Sequence, residues 1–182
     1  MPSNVPAARL VAGPDAIAEL VSRMAGELSD AQDDDMVLLG IPTRGVPLAR
    51  RLAAAIDGLG RGRVRLGTLD VTMYRDDLRA NPTRAVGRTT IPGGIDGASV
   101  VLVDDVLYSG RTIAAALDAL HDLGRPRVVR LAVLVDRGHR ELPISPDQVG
   151  VAVPTAPDEH VRVRLRETDG EDAIAITTKD GR

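Results

Sequence analysis

The sequence contains no cysteine, phenylalanine or tryptophan, only two tyrosines (Tyr74 and Tyr108) and one lysine, Lys179. The lack of cysteine excludes disulfides, cysteine-ligated metal sites and cysteine nucleophiles. With so few aromatic rings, the chain has almost no surface on which the bases of single-stranded nucleic acid stack. The lone lysine argues against a phosphate site or a Schiff base built on lysine, since nearly all basic residues are arginines.

The chain also lacks any run of roughly 20 apolar residues, the length that spans a bilayer. Residues 1–14 lack the charged-then-apolar pattern of a secretion signal. We therefore predict a cytoplasmic protein that does not insert into membranes. The 182 residues, 43% of them apolar, predict a single domain (1–182) with an aliphatic core, in which residues 1–12 are loosely ordered. A net charge of −3 argues against a surface that attracts nucleic acid everywhere.

The spacing of apolar residues predicts an α/β fold. Helices are predicted at 15–28, 46–56 and 111–123, and strands at 36–41, 63–73, 99–103, 128–135 and 148–153. Because strands and helices alternate, we expect a mainly parallel central sheet flanked by helices on both faces. The alternating segments 160–167 and 173–177 predict a C-terminal β-hairpin, and the charged stretch 74–98 predicts a long lid loop.

The stretch Val100–Thr112 (VVLVDDVLYSGRT) carries the most specific chemistry. A buried strand delivers Asp104 and Asp105 to its carboxyl end, where ligands bind in open α/β sheets. A predicted turn over 104–110 then opens a helix, so that backbone N–H groups, hydroxyls and a helix N-terminus form a phosphate cradle. Paired carboxylates beside such a cradle suit a sugar phosphate. A capped turn with solvated acids is the alternative for an acid pair standing alone.

This segment resembles the phosphoribosyl pyrophosphate (PRPP) motif of type I phosphoribosyltransferases. Further stretches are similar to the PyrR family, which joins uracil phosphoribosyltransferase activity to regulation of pyrimidine operons: GIPTRGVPLARRLA (40–53), LDVTMYRDDL (69–78), DALHDLGRP (118–126) and LAVLVDRGHRELPI (131–144). The resemblance runs from about residue 15 to 165. It implies the type I fold, formation of UMP and pyrophosphate from uracil and PRPP, Mg²⁺ carried mainly by PRPP oxygens, binding of UMP- or UTP-type nucleotides, and a homo-oligomer.

The resemblance also implies residue roles. Catalytic roles fall to Asp104, Asp105 and Arg75, with Arg75 a lid residue that reaches pyrophosphate. Asp105 is the candidate base for the N1 proton of uracil; the alternative is that the two carboxylates only bind the ribose. Arg137 lines the pyrimidine pocket or forms a structural ion pair with Asp136 or Glu141. Substrate contacts are expected at Thr43, Arg44, Gly45, Tyr74, Val106, Leu107, Tyr108, Ser109, Gly110, Arg111, Thr112, Arg137 and Val161.

Regulators of this family bind a messenger RNA hairpin through a basic face, and this sequence departs from that pattern. Ser22, His139 and Arg140 are the candidate RNA contacts that remain. Elsewhere Gly26 stands for an expected His, Ser145 for Arg, Val151-Ala152 for Lys-Asn, and Ala156 for Ser. Because each lost cation lowers RNA affinity, we predict weak or absent RNA binding, unless arginines at 23, 162, 164 and 166 rebuild the basic face.

Two other functions stay open at this point. One is an RNA-binding regulator with vestigial enzyme activity, against which the altered basic face weighs. The other is a phosphoribosyltransferase for a different base, because base selection depends on pocket shape. The scarcity of lysine argues against an orotate-type site, and no protein-only metal site is predicted.

Overall fold

The helices and strands are distributed over two sheets. In this computed structural model, which describes residues 8–30, 34–60, 63–77 and 85–178, the elements in chain order are β1 (Arg9–Ala12), α1 (Pro14–Asp30), β2 (Met36–Gly40), α2 (Gly45–Gly58), β3 (Arg65–Thr68), β4 (Ser99–Leu107), α3 (Arg111–Leu123), β5 (Val128–Asp136), β6 (Gln148–Ala152), β7 (Glu159–Arg164), α4 (Arg166–Asp169) and β8 (Ala173–Thr178). Strands β3-β2-β4-β5-β6 form a parallel sheet, and β1-β8-β7 form an antiparallel one.

Alternate residues of the central strands are buried on opposite faces of the parallel sheet. Leu38 of β2 belongs to the core that α1 and α2 cover, whereas its neighbours Val37 and Leu39 belong to the core that α3 covers. A strand buried on both faces has no polar side, which explains the continuous apolar run in its sequence. The predicted α/β fold, with helices on both faces of a mainly parallel sheet, is confirmed. No helix within the described ranges is long and apolar enough to cross a membrane.

The N-terminal strand differs from the prediction. Arg9–Ala12 pair with β8, with Leu10 opposite Ala175, and Ala12 is buried. The loose order predicted for residues 1–12 is therefore wrong for 9–12, because backbone hydrogen bonds to a distant strand fix a segment that has no periodic pattern of its own. Residues 1–7 lie outside the described residues.

Strand β4 continues beyond its predicted end at residue 103 and stops at Leu107. Its neighbour β2 stops pairing where Gly40 meets Val103, but β5 pairs with β4 as far as Leu107 and Asp136. The turn predicted for 104–110 is therefore wrong for 104–107. As a result, the two acids lie in the strand, at a point where the edge left by β2 is open.

Two further segments differ in detail from the prediction. The strand expected over 63–73 covers only Arg65–Thr68, because a short 3₁₀ helix, Thr72–Tyr74, begins soon after it. The C-terminal hairpin is confirmed. Its two strands are joined through the short helix α4, which Gly170 ends at φ +81°. The lid loop predicted over 74–98 includes residues 78–84, which lie outside the described residues.

Gly45 allows the turn after β2 to rest directly on β4. A Cβ built on Gly45 would lie 2.4 Å from the carbonyl oxygen of Val103, which is backbone and cannot move aside. We expect Gly45→Ala to lower the free energy of unfolding by about 2 kcal/mol or more, because overpacking against backbone is costly. Gly58→Ala, in the same helix but with no atom within 4 Å of its Cβ, is the control and should be neutral or stabilising. Equal stabilities of the two variants in urea unfolding would contradict this account.

Candidate active site

A cavity of about 330 Å³ opens at the carboxyl ends of β2, β3 and β4. It brings together five residues predicted from the sequence, Thr43, Arg44, Arg75, Asp105 and Thr112. Its remaining lining comes from Pro42, Asp70, Val71, Thr72, Ala85 and Gly87. A larger hollow of about 550 Å³, between α3 and the start of β5, contains none of the predicted site residues.

The two acids of β4 occupy different environments. Asp104 is buried, and the Asp105 N–H donates to its Oδ1 at 2.9 Å. Burial raises the pKa of Asp104 well above its usual range, the negative charge of Asp105 adds to this, and Arg75 only partly opposes it. Asp105 is half-buried and lines the cavity. Asp105 is therefore placed to accept hydrogen bonds from a ligand, whereas Asp104 holds the strand end behind it.

The segment after β4 has the geometry of an anion cradle. Gly110 adopts φ +92° and precedes α3, and the Arg111 N–H donates to Ser109 Oγ at 3.3 Å. A side chain at Gly110 would press on Ile144, whose Cβ would lie 3.3 Å away. The first N–H groups of α3 and the hydroxyl of Thr112 thus face the same edge of the sheet, which suits a phosphate group.

Two predicted members of the cradle, Val106 and Leu107, contribute no side chain to this cavity. Leu107 is buried in the core under α3, and Val106 packs against the other core. Arg111 is turned towards the surface loops, where it pairs with Asp76 (2.5 Å) and Glu141 (2.7 Å).

Arg75 links the start of the long loop to the cradle. Its Nε and Nη2 donate to the carboxylate of Asp77 at 2.8 and 3.0 Å, and its Nη1 donates to Thr112 Oγ1 at 2.9 Å. The hydrogen bond to Asp77 raises the pKa of Arg75. Tyr74, in contrast, turns away from the cavity, because its hydroxyl donates to Asp122 of α3 at 2.7 Å.

Asp70 binds the chain just before the long loop and again within it, and is not among the predicted site residues. Its Oδ1 accepts the Thr72 N–H at 2.8 Å, and its Oδ2 accepts the Gly87 N–H at 2.7 Å. Its position supplies the signal that could have identified it: an acid just after a strand of the parallel sheet, at the same edge as Asp105.

The turn between β2 and α2 presents Arg44 to the cavity. The Pro42–Thr43 peptide bond is cis. Arg44 donates from Nε and Nη2 to the two oxygens of Asp169, at 3.0 and 2.7 Å. This hydrogen bonding raises the pKa of Arg44, although burial opposes it, and it lowers the pKa of Asp169. Asp169 is another residue that the sequence analysis missed.

A second hollow, of about 350 Å³, lies past the end of β5 and is lined by Asp136, Arg137, Gly138, His139, Ala152, Pro154 and Thr155. Arg137 is buried; its Nη2 donates to Glu159 O at 2.8 Å, its Nε to Thr155 Oγ1 at 3.2 Å, and its guanidinium lies 4.2 Å from the ring centre of Tyr108. A cation over an aromatic face is attractive.

Within the described residues, Arg137 does not form the ion pair with Asp136 or Glu141 that was predicted as its alternative role. Asp136 instead pairs with Arg140 at 2.7 Å, and Glu141 with Arg111. Burial acts to raise the pKa of Asp136, but hydrogen bonds from Arg140 and the Gly138 N–H outweigh it and lower that pKa. Val161, expected near the base, lies half-buried in β7 and packs against the core under α1 and α2.

Comparison with known proteins agrees with this architecture. The phosphoribosyl transferase domain family matches residues 11–168. The bifunctional protein PyrR of Streptomyces coelicolor is 60% identical over 170 residues, covering 92% of this chain and 88% of that protein. That of Mycobacterium tuberculosis is 55% identical over 171 residues, covering 88% and 89%. The chain belongs to the PyrR family of phosphoribosyltransferases.

Solved structures agree with the fold of this PyrR family member. A hypoxanthine phosphoribosyltransferase of Trypanosoma cruzi superposes with a TM-score of 0.73 at 18% identity, covering 98% of this chain and 95% of that one. One from Staphylococcus aureus gives a TM-score of 0.68 at 19% identity, covering 94% of each chain. At such identities the likeness concerns the fold alone. The family and fold class predicted from the sequence are both confirmed.

The candidate RNA contacts of this PyrR family member are largely engaged within the protein. Arg140 donates to Ile144 O, Tyr108 O and Asp136 Oδ2, at 3.0, 3.0 and 2.7 Å. His139 is exposed, and its Nε2 lies 2.6 Å from Thr155 O, so this nitrogen carries the proton. Ser22 is exposed on α1.

The buried carboxyl group of Asp104 should make the protein less stable as its charge develops. Because its pKa is raised in the folded state, its stabilising contribution is present at low pH and is lost as pH rises through the folded pKa. We expect Asp104→Asn, which keeps an oxygen for the Asp105 N–H, to melt above the parent at neutral pH, by about 2–4 °C for each kcal/mol gained.

Thermal unfolding followed between about pH 4 and pH 8 measures this difference, which should shrink towards acid. The control is Asp118→Asn, since Asp118 is an exposed acid on α3. A gain of the same size in both variants, or one that does not depend on pH, would refute the assignment.

Proposed function

We propose that the protein transfers the phosphoribosyl group of PRPP to uracil and forms UMP and pyrophosphate. The observation that carries this proposal is the convergence of Asp105, Thr112 and the Thr43-Arg44 turn on one cavity at the carboxyl edge of the parallel sheet. An anion cradle, an acid for sugar hydroxyls and an arginine beside them match the three parts of PRPP: its 5′-phosphate, its ribose and its pyrophosphate.

In this proposal each group acts by holding the substrate. The N-terminus of α3, with Thr112, binds the 5′-phosphate, and Asp105 accepts hydrogen bonds from the ribose hydroxyls. Arg44 and Arg75 lie on the same cavity and stabilise the charge that develops on the departing pyrophosphate. Orientation together with charge stabilisation of the leaving group is enough to lower the barrier of such a reaction. Asp105 is also the candidate acceptor of the uracil N1 proton.

Magnesium, when bound with PRPP, neutralises the pyrophosphate oxygens. Within the described ranges, no cluster of three or more His, Cys, Asp or Glu residues is arranged to hold a metal ion. Both carboxylate oxygens of Asp70, which lines the cavity, already accept backbone N–H groups. This chemistry suits an ion bound mainly through substrate oxygens and water, as Mg²⁺ prefers.

The base pocket of this proposal is the hollow that Arg137 lines. Arg137 connects the segments around this hollow, because it contacts Tyr108, Thr155 and the Glu159 carbonyl. The turn after β5 supplies backbone groups that can pair with the edge of a pyrimidine. UMP- or UTP-type nucleotides would occupy the same two hollows. We also propose a cytoplasmic location and a homo-oligomeric state.

We expect multiple turnovers with uracil and little with cytosine, orotate or hypoxanthine when each is offered with PRPP and Mg²⁺. Hypoxanthine is included because two proteins of similar fold are hypoxanthine phosphoribosyltransferases. Formation of the labelled mononucleotide is measured. Preference for any other base would contradict the uracil assignment without touching the PRPP site.

The double variant Asp104→Asn/Asp105→Asn is the matched test of that PRPP site. Replacing the Asp105 carboxylate, the acceptor for the ribose hydroxyls, by a neutral amide should lower kcat/KM by at least about 100-fold, since a lost charged hydrogen bond removes a large part of the orientation. The variant must retain its cooperative melt for this result to count. Activity equal to that of the parent would rule out ribose binding by Asp105.

The second function of the family, regulation through RNA, is expected to be weak in this chain. Arg140 is engaged by three acceptors within the protein, and Gly26, half-buried on α1, supplies no side chain. We expect filter binding of a pyrimidine-leader hairpin to be weak and insensitive to its sequence.

The matched variant is Gly26→His combined with Ser145→Arg, which returns two basic side chains; a Cβ at Gly26 meets no atom within 4 Å. It should bind the hairpin more tightly and with a steeper salt dependence than the parent. Tight, salt-sensitive and hairpin-specific binding by the parent itself would overturn the prediction.

A further inference from the structure

Helix α2 and the turn between β7 and β8 are joined by a row of arginine–carboxylate pairs. Arg51 donates to both oxygens of Glu167, at 2.8 and 2.6 Å, and to both oxygens of Asp172, at 3.0 and 2.7 Å. Arg44, at the other end of this row, makes its two-pronged contact with Asp169. The antiparallel sheet is therefore fastened to the helix that begins at the Thr43-Arg44 turn.

The contact with Asp169 leaves one side of the Arg44 guanidinium available. Nε and Nη2 are occupied by the carboxylate, whereas Nη1 has no acceptor among the described residues. Arg44 lines the cavity, and Asp169 does not. A planar guanidinium held through two nitrogens has its third direction fixed, so Nη1 is the donor that remains for an anion.

Asp169 is itself held in place. Its Oδ2 also accepts the Leu165 N–H at 2.9 Å, and its own N–H donates to Leu165 O at 2.7 Å. Gly170 ends the turn with its N–H directed to Arg166 O at 3.1 Å. The carboxylate is thus a fixed anchor rather than a mobile surface acid, with its side chain only 18% exposed.

The other cavity arginine is held differently. The carboxylate partner of Arg75 is Asp77, two residues further along the same loop, and the remaining nitrogen Nη1 already donates to Thr112 Oγ1. The partner of Arg44 lies 125 residues away, in α4 between β7 and β8. Arg44 is thus oriented by a carboxylate from outside its own turn and keeps Nη1 for a ligand, whereas Nη1 of Arg75 is already used within the protein.

Building on the function proposed above, we propose that Asp169 is a positioning residue for pyrophosphate, which orients Arg44 so that its Nη1 meets the diphosphate of PRPP. Asp169 does not touch the substrate. It acts by removing the rotational freedom of the Arg44 side chain before PRPP arrives, so that less conformational entropy is lost on binding.

The test is Asp169→Asn, because asparagine keeps an oxygen for the Leu165 N–H but loses the charged contact with Arg44. We expect KM for PRPP to rise about tenfold, as expected for loss of one oriented charge-assisted contact, while KM for uracil stays within about twofold. The control is Glu171→Gln on the same turn, whose acid pairs with exposed Arg164; its kinetics should match the parent.

A double-mutant cycle separates positioning from a general structural role. Arg44→Ala should raise KM for PRPP by itself, and adding Asp169→Asn to it should produce no further rise. Multiplying effects would overturn the proposal, as would an unchanged KM in Asp169→Asn. A lower KM would overturn it too, since the carboxylate would then be a competitor of pyrophosphate. Arg44→Lys, which cannot grip both oxygens, should resemble Asp169→Asn and supplies the test should that variant not fold.

Calorimetric titration of PRPP and Mg²⁺ into parent and variant distinguishes this inference from the function on which it rests. If the parent binds PRPP but does not use uracil, the base assignment fails and the comparison of affinities still tests Asp169. If the parent does not bind PRPP, the proposed function fails. If the parent binds and turns over while Asp169→Asn equals it, only the positioning role fails.

Discussion

The site depends on one close contact between backbones, where the turn after β2 crosses the end of β4. The Ile41 N–H donates to Val103 O at 2.9 Å, and the same carbonyl oxygen would lie 2.4 Å from a Cβ on Gly45. Gly40 is equally confined, since its Cβ would lie 2.6 Å from Gly45 O. Both positions therefore require glycine. This contact brings the Thr43-Arg44 turn beside the acids of β4, so Arg44 and Asp105 share one cavity.

Near that contact two carboxyl groups stand next to each other in β4, and two arginines close to them are each paired with an acid. Asp104 is ionisable and buried beside a second acid, which costs stability. The arginines nearby each have an acid of their own: Arg44 has Asp169, and Arg75 has Asp77. Because the cationic side chains that line the cavity are both arginines, these acids keep their guanidinium groups ordered. Unfavourable burial of ionisable groups is typical of sites that bind charged substrates.

Periodicity and motif predicted much of the fold and about half of the cavity lining. The apolar runs of β2, β4 and β5 are long enough to indicate a sheet covered on both faces, and the VVLVDD and PTRG stretches placed Asp105 and Arg44 at its carboxyl edge. Strand β1 escaped prediction because its order comes from pairing with β8, at the far end of the chain. Asp169 escaped it for a similar reason, since its partner is 125 residues away. The side chains of Leu107 and Tyr74 lie outside the cavity because strand alternation and the 3₁₀ turn direct them elsewhere, which a motif does not reveal.

The scarcity of aromatic residues has an optical consequence. With no tryptophan in the chain, its near-ultraviolet absorbance and emission come from two phenol rings alone. One, Tyr74, hydrogen-bonds to Asp122 at the start of the long loop, and the other, Tyr108, lies against Arg137 beside the second hollow. The near-ultraviolet spectrum of the folded protein therefore reports on the surroundings of Tyr74 in the long loop and of Tyr108 beside the second hollow, and on nothing in the aliphatic core.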